Sequence, residues 1–271
     1  MSSEFEKFKD HTGTERLLTK LPYEGLKGCQ TYDNVLKASP LIPRSEYIDV
    51  DNRDVFGFEK WFYDQLQHGS CSGQAVTSTI IKTRHQQGLP FVKLSPTYLY
   101  AQCNGGRDQG SVIAEILAAA KAGGTCRLEL NDQNTIYWNQ VSQAAKADAP
   151  NYKISEAYRL TSFEEICDAI LKGFFIVCGI YVGRNFEQTD ANGVAGVTRA
   201  QPNHAVMVDG LKILPSGEVL LDMANSWSFN WGYNGRIYLR DKHFAYVEGD
   251  HWAIRTVGQS PADPGTPALV V

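Results

Sequence analysis

Three residues far apart in the chain have the types that thiol chemistry needs. Cys71 stands in "YDQLQHGSCSGQAV" (63–76), behind Gly69 and Ser70 and ahead of a helix-like run. A cysteine at a helix start meets unpaired backbone N–H groups and the positive end of the helix dipole, and both favour a thiolate. Its own N–H would point toward a bound carbonyl oxygen. His204, in "QPNHAVMVDG", opens an extended apolar run, which places its ring at a strand start. Asn225, in "LLDMANSWSFNWGYNGRIYL", can accept the histidine ring N–H without adding charge, and Trp227 can cover that hydrogen bond from water. A nucleophile, a base, an orienting group and oxyanion donors are the parts of covalent acyl transfer. Alone, Cys71 would be better read as a buried structural thiol, while Trp227 reads equally as a core aromatic and as a shield, and can be both. The set as a whole turns the reading toward catalysis.

The remaining histidines fit the base role worse. His11 lies in an N-terminal arm and His85 at the far end of the helix that Cys71 opens. His243 and His251 sit in late polar surroundings, and His68 on the loop rim just before Cys71. No C-x-x-C, no H-E-x-x-H and no histidine pair at i, i+4 occurs, so no metal site is expected, and acyl transfer through a thiol needs no organic cofactor. Cys167 and Cys178 read as core thiols, Cys103 and Cys126 as a candidate disulfide, and Cys29 has no assigned role.

The elements that must position these residues divide the chain. Residues 1–42 form the arm, with a helix-compatible "SEFEKFKD" followed by turn-rich sequence, and 40–54 leads into the main body. A helix is predicted from Ser72 to Gln87, with Gly88 as its stop and Val76 and Ile80 on one face. "LSPTYLYAQC" carries Ser95 as N-cap and Pro96 at the first helical position. A third helix, 110–124, has Ile113, Ile116, Leu117 and Ala120 as its apolar stripe and ends at Gly123-Gly124. A fourth, 162–173, opens with Ser162 and Glu165 at capping-box spacing. Then strands take over: "FFIVCGIYV", "HAVMVDGLKIL", "GEVLLDMAN", "GRIYLRD" and "HWAIRTV", with "LPSGE" (214–218) as a hairpin-like turn. The expected class is α+β: a helical lobe at about 60–155 and a sheet lobe at about 156–257, with a cleft between them. The tail, 258–271, is Pro- and Gly-rich and reads as flexible.

Four of these blocks together resemble the papain-like cysteine peptidases. Gln65 and Cys71 match that family's Gln-x5-Cys, and "GSC" its residues before the nucleophile. "NHAV" matches its histidine strand, and "NSWSFNWGYNG" its Asn-Ser-Trp…Trp-Gly…Asn-Gly block. The span from Cys71 to His204 falls in the family's range. "LSPTYLYAQ" and "GSVIAEILAAAKAGGTC" resemble helical regions of bacterial and viral members. The resemblance covers residues 43–257 and implies a helical lobe facing a β-barrel-like lobe. It implies Cys71 as nucleophile, His204 as base and then acid, Asn225 as orienting residue and Gln65 as oxyanion donor, with Gln67 a competitor at the wrong spacing. Gly110-Ser111 and the carbonyl of Asn203 would pair with substrate backbone; "CNGG" (103–106) is the alternative to Gly110-Ser111. Ser72-Gly73 departs from the family's Trp-Ala, and His68 replaces the cysteine of the secreted branch's first disulfide. The implied reaction is peptide-bond hydrolysis through an acyl-thioester at Cys71.

Composition fits that class. The chain has 271 residues, 43% hydrophobic and 21% charged, with net charge −4 and pI near 5.9. That is ordinary globular composition with no basic patch, so the expected partner is a peptide or protein substrate rather than nucleic acid. The charged N-terminus lacks an apolar signal region, and "GFFIVCGIYVG" is too short to span a bilayer. A cytoplasmic or virion-associated location is therefore expected, with no membrane partner. Two other readings stand beside the peptidase: a structural or binding component of a larger assembly, docking through 1–42 or 258–271, and a cell-wall peptide hydrolase.

Overall fold

A computed structural model of the chain describes residues 6–23, 30–53, 62–197, 200–246 and 250–257. Cys29 and the tail 258–271 lie outside the described residues. The main sheet has six strands: β3 (Ile154–Arg159), β4 (Phe175–Ile180), β5 (His204–Ile213), β6 (Val219–Ala224), β7 (Arg236–Leu239) and β8 (Trp252–Val257). They run in the order β3-β8-β4-β5-β6-β7, and every neighbouring pair is antiparallel.

The near-continuous apolar runs of β4 and β5 follow from burial on both faces. Ile176, Cys178, Ile180, Val206 and Val208 point into one core, with Trp227, Trp231 and Phe186. Val177, Ala205 and Met207 point the other way, into a core shared with the helices and with Cys71. The period-2 alternation thus sorts one strand's residues between two cores. Cys178 on β4 lies in the first core by this alternation, Cys167 joins it from the helix Phe163–Leu171, and burial pushes both thiols up in pKa.

After a short helix α1 (Asp33–Leu36), the helices against the second core are α2 (Cys71–Gln86), α3 (Pro96–Cys103) and α4 (Ile113–Ala122). Ser95 caps α3 by accepting the Tyr98 N–H, as its position predicts. Helix α4 is shorter than 110–124, because Gly110 and Ser111 are held at the cleft edge instead. Two short elements carried too little pattern to be read from sequence: α5 (Gln143–Asp148), and the edge strand β3, whose polar "ISEAYR" is only partly buried. Helix α6 (Phe163–Leu171) opens as its sequence suggests: the Ser162 hydroxyl accepts the Glu165 N–H. The Glu165 carboxylate, however, accepts from Thr161 rather than closing the full capping box.

Helix α2 is tied to the sheet by a buried ion cluster. Lys82 pairs with Asp209 at 2.8 Å, and Arg236 bonds to Asp209 through both terminal nitrogens and to Asp222. Gly73 makes the α2–α3 contact: an added Cβ would lie 2.5 Å from the Pro96 carbonyl oxygen and 3.3 Å from Tyr100 Cβ. A backbone oxygen cannot step aside. Gly73→Ala is therefore expected to cost about 1–3 kcal/mol, read as a lowered thermal midpoint; an unchanged midpoint would refute the contact.

Three expectations are corrected. "SEFEKFKD" contributes a strand, not a helix: β1 (Glu6–Lys9) pairs with β2 (Glu15–Leu18) as an antiparallel hairpin. The Asp10–Thr14 turn fixes it, with Asp10 Oδ1 accepting the N–H groups of Thr12 and Thr14. Cys103 and Cys126 are both free, so the candidate disulfide is absent. His243 and His251 are buried rather than in polar surroundings; their ring nitrogens bond to backbone carbonyls of Ala195 and Ala245.

Candidate active site

Cys71 is the first residue of α2, and its side chain is fully buried. The N–H groups of Ala205, Thr19 and Ser72 hydrogen-bond toward its sulfur. Burial outweighs them and pushes the thiol above its ordinary pKa. His204 begins β5, also fully buried. Its Nε2 lies 2.8 Å from Asn225 Oδ1. That Asn225 atom also accepts the Ser226 N–H at 2.9 Å, so it must be the oxygen, and Nε2 must carry the ring proton. The basic lone pair is then on Nδ1, which is buried and without a partner among the described residues. Trp227 covers the ring, with centroids 5.0 Å apart.

Gln65 points inward and Gln67 outward. Gln65 Oε1 accepts from Ser226, and its Nε2 donates to the carbonyls of His68 and Leu17. Ser111, next to Gly110, and Asn203 face the chain at residues 20–21, whose N–H groups their carbonyls accept. Gly105 and Gly106 of "CNGG" stand exposed at the turn after α3, with open space around them. The Ser72 hydroxyl donates to the Ser111 carbonyl, so the residue found where the resemblance expects Trp braces the cleft wall.

Asp108 gave no signal in the sequence and is the hub of this loop. Its carboxylate accepts from Gly69 N–H at 2.8 Å and Tyr100 hydroxyl at 2.6 Å, and pairs with His68 Nδ1 at 3.3 Å. The Asp108 bond raises the His68 pKa. Tyr100 in turn accepts the Gly110 N–H, so one carboxylate joins the loop before Cys71 to the opposite wall.

The larger surprise is the arm, which runs through the cleft. The Lys20 N–H donates to the Asn203 carbonyl at 2.9 Å and the Leu21 N–H to the Ser111 carbonyl at 3.1 Å. An added Cβ on Gly110 would meet the Thr19 carbonyl oxygen at 1.7 Å. Phe8 stacks on Trp227, centroids 5.3 Å apart. Arg16, 2% exposed, bonds to Asp10 within the hairpin, to Asp64 and to the carbonyls of Leu66 and Trp227. Arm residues thus meet the same carbonyls and side chains singled out as substrate contacts.

Burial sets the charge state of the pair. Burial pulls the His204 pKa down to about 4; the Asn225 bond opposes this and the Arg16 cation adds to it. The thiol and imidazole are both neutral here. His251 is likewise pulled to about 4 by burial. Unfolded, each ring would titrate near 6.5. Between about pH 6.5 and 4 the unfolded chain therefore binds protons that the folded chain refuses, and stability falls as pH falls, by up to about 3 kcal/mol per ring. His68, with its raised pKa, offsets part of this. A lower urea midpoint at pH 4.5 than at pH 7 is expected; equal midpoints would contradict the buried neutral rings.

No family model matches the sequence, and no curated protein matches it by sequence. Solved structures do match by fold. Xylellain, a cysteine protease from Xylella fastidiosa, superposes with TM-score 0.70 at 19% identity, over 93% of this chain and 98% of that one. Procathepsin B S9 from Trypanosoma congolense gives 0.68 at 14% identity, over 89% and 86%. Digestive procathepsin L 3 of Tenebrio molitor larval midgut gives 0.64 at 18% identity, over 88% and 74%. The expected class holds: the chain has the α+β, two-lobed papain-like fold of these cysteine proteases.

Proposed function

We propose that this protein is a cysteine endopeptidase, held latent here by its own arm. The observation that carries the reading is the His204–Asn225 bond. It fixes the ring proton on Nε2 and leaves Nδ1 free to take a thiol proton, while the Cys71 sulfur lies against the N–H of the next residue, Ala205. In the forward step Cys71 sulfur attacks the peptide carbonyl, and His204 takes the thiol proton and delivers it to the leaving amine. The acyl-thioester is then hydrolysed by water, with His204 again as base. The Gln65 Nε2 and the Cys71 N–H supply donors for the oxyanion. Asn225 positions His204, and Trp227 keeps water from the bond between them.

The neighbours support this reading as a likeness: they are cysteine proteases, two of them proforms by name. The arm's role as an activation segment is supported by its use of the Asn203 and Ser111 carbonyls and by the Arg16 charge beside His204. The test is covalent labelling. The chain is folded intact, then cut at a protease site introduced after Tyr23 so that the arm can leave. A peptidyl epoxide should then add to Cys71 stoichiometrically, by mass spectrometry. Failure to label Cys71 after arm release would overturn the reading.

A further inference from the structure

We propose that Asp250 forms the base of a subsite for a basic side chain, arginine above lysine, and that Lys20 of the arm occupies that subsite as a stand-in. The proposal rests on the peptidase reading for its substrate arm, but not for its arm-docking test. Lys20 is held at the backbone by Asn203, and its side chain turns inward to 4% exposure. It passes over Gly179 of β4, where an added Cβ would lie 2.9 Å from Lys20 Cε and 3.3 Å from Nζ. Any larger residue at 179 would narrow the pocket.

Asp250 lies beside this floor: its backbone carbonyl accepts the Gly179 N–H at 3.2 Å. Its fully buried carboxylate is fixed in place by the Ala114 N–H at 3.2 Å and the Ile113 N–H, both at the start of α4, and by the Trp252 indole N–H. Its negative charge acts on the Lys20 ammonium. Yet Lys20 Nζ makes no hydrogen bond among the described residues.

A buried, unpaired ammonium is costly. The pocket therefore does not hold the lysine; the Arg16, Phe8 and backbone contacts of the arm do. A carboxylate offers about four lone-pair sites, and three N–H groups leave room for another donor. Arginine is longer than lysine and carries five N–H donors on a planar fork. It can reach the carboxylate that lysine approaches without touching. Burial pulls the Lys20 amine down and the Asp250 carboxyl up, as expected of a cation and anion that share a dry pocket without closing on each other. A lysine that falls short fills the site and remains displaceable by a substrate that fits it.

Two measurements test this. In the intact chain, Lys20→Arg should slow alkylation of Cys71 by iodoacetamide about tenfold by tightening the arm, and Asp250→Asn should erase that gain. If the pocket is only a packing site for lysine, the larger arginine should loosen the arm and speed alkylation, which overturns the proposal. If Asp250→Asn fails to fold, Lys20→Arg alone still decides, since it leaves Asp250 intact. After arm release, a positional peptide library should show about tenfold preference for arginine over leucine at one position, lost in Asp250→Asn. Turnover without that preference overturns the subsite and leaves the peptidase standing. No turnover and no Cys71 labelling overturns the peptidase, and the alkylation rates then decide the pocket by themselves.

Discussion

With the arm out of the cleft, Cys71→Ala and His204→Ala are each expected to lower peptide turnover by at least about three orders of magnitude. Cys71→Ala removes the atom that carries the acyl group. His204→Ala leaves the sulfur but takes away the acceptor for its proton, in a site where burial already opposes the thiolate. The two losses should not add, because the residues act on one step. The His204 variant also has a distinct mark. Its thiol should alkylate slowly near pH 7 and recover as pH rises toward the ordinary thiol pKa, whereas the wild-type rate should plateau lower. Asn225→Ala should cost less, since it loosens the ring and its tautomer without removing the base. Turnover within tenfold of wild type in the His204 variant would sink the assignment.

Releasing the arm is expected to raise both Cys71 alkylation and peptide turnover by at least about a hundredfold, which corresponds to ~2.7 kcal/mol in favour of the docked arm. Three kinds of contact hold it: backbone bonds to Asn203 and Ser111, the Phe8–Trp227 stack, and the four-partner Arg16. Its effect is electrostatic as well as steric. Docking excludes water from Cys71 and His204 and sets the Arg16 cation where it disfavours an imidazolium. Undocking should raise the His204 pKa and lower that of Cys71, moving the pair toward thiolate and imidazolium. Arg16→Gln in the intact chain should give part of the hundredfold, since it removes the charge and the Asp64 pair together. Equal alkylation rates before and after release would mean that the arm does not gate the thiol.

The residues of the candidate site were legible in "GSC", "NHAV" and "NSWSFNWGYNG" because each has a type that chemistry restricts and a local pattern that places it. Cys71 follows a loop and opens a helix, and His204 opens a strand; both facts are local. The strands were legible because Val, Ile and Leu runs bounded by turns have few other uses. Edge strand β3 was not, since its solvent-facing residues dilute the pattern. The hairpin of the arm was not, because a charged run such as "SEFEKFKD" carries no strand alternation, and only the Asp10–Thr14 turn and the stacking of Phe8 on Trp227 hold residues 6–9 as a strand. His251 looked polar from its neighbours in sequence, but burial is a property of what packs against it.

The sequence by itself determined the chemistry: a thiol at a helix start, a histidine at a strand start, an asparagine amide and two lobes to hold them, all set by residue type and local periodicity. Tertiary structure alone decided which tautomer His204 holds, that Asp108 braces the loop before Cys71, that Ser72 supports the cleft wall, and that residues 16–21 lie in the cleft. Those facts depend on side chains distant in the chain meeting in a water-poor space. There a single carboxylate or guanidinium can shift a pKa, and no spacing along one strand encodes the encounter.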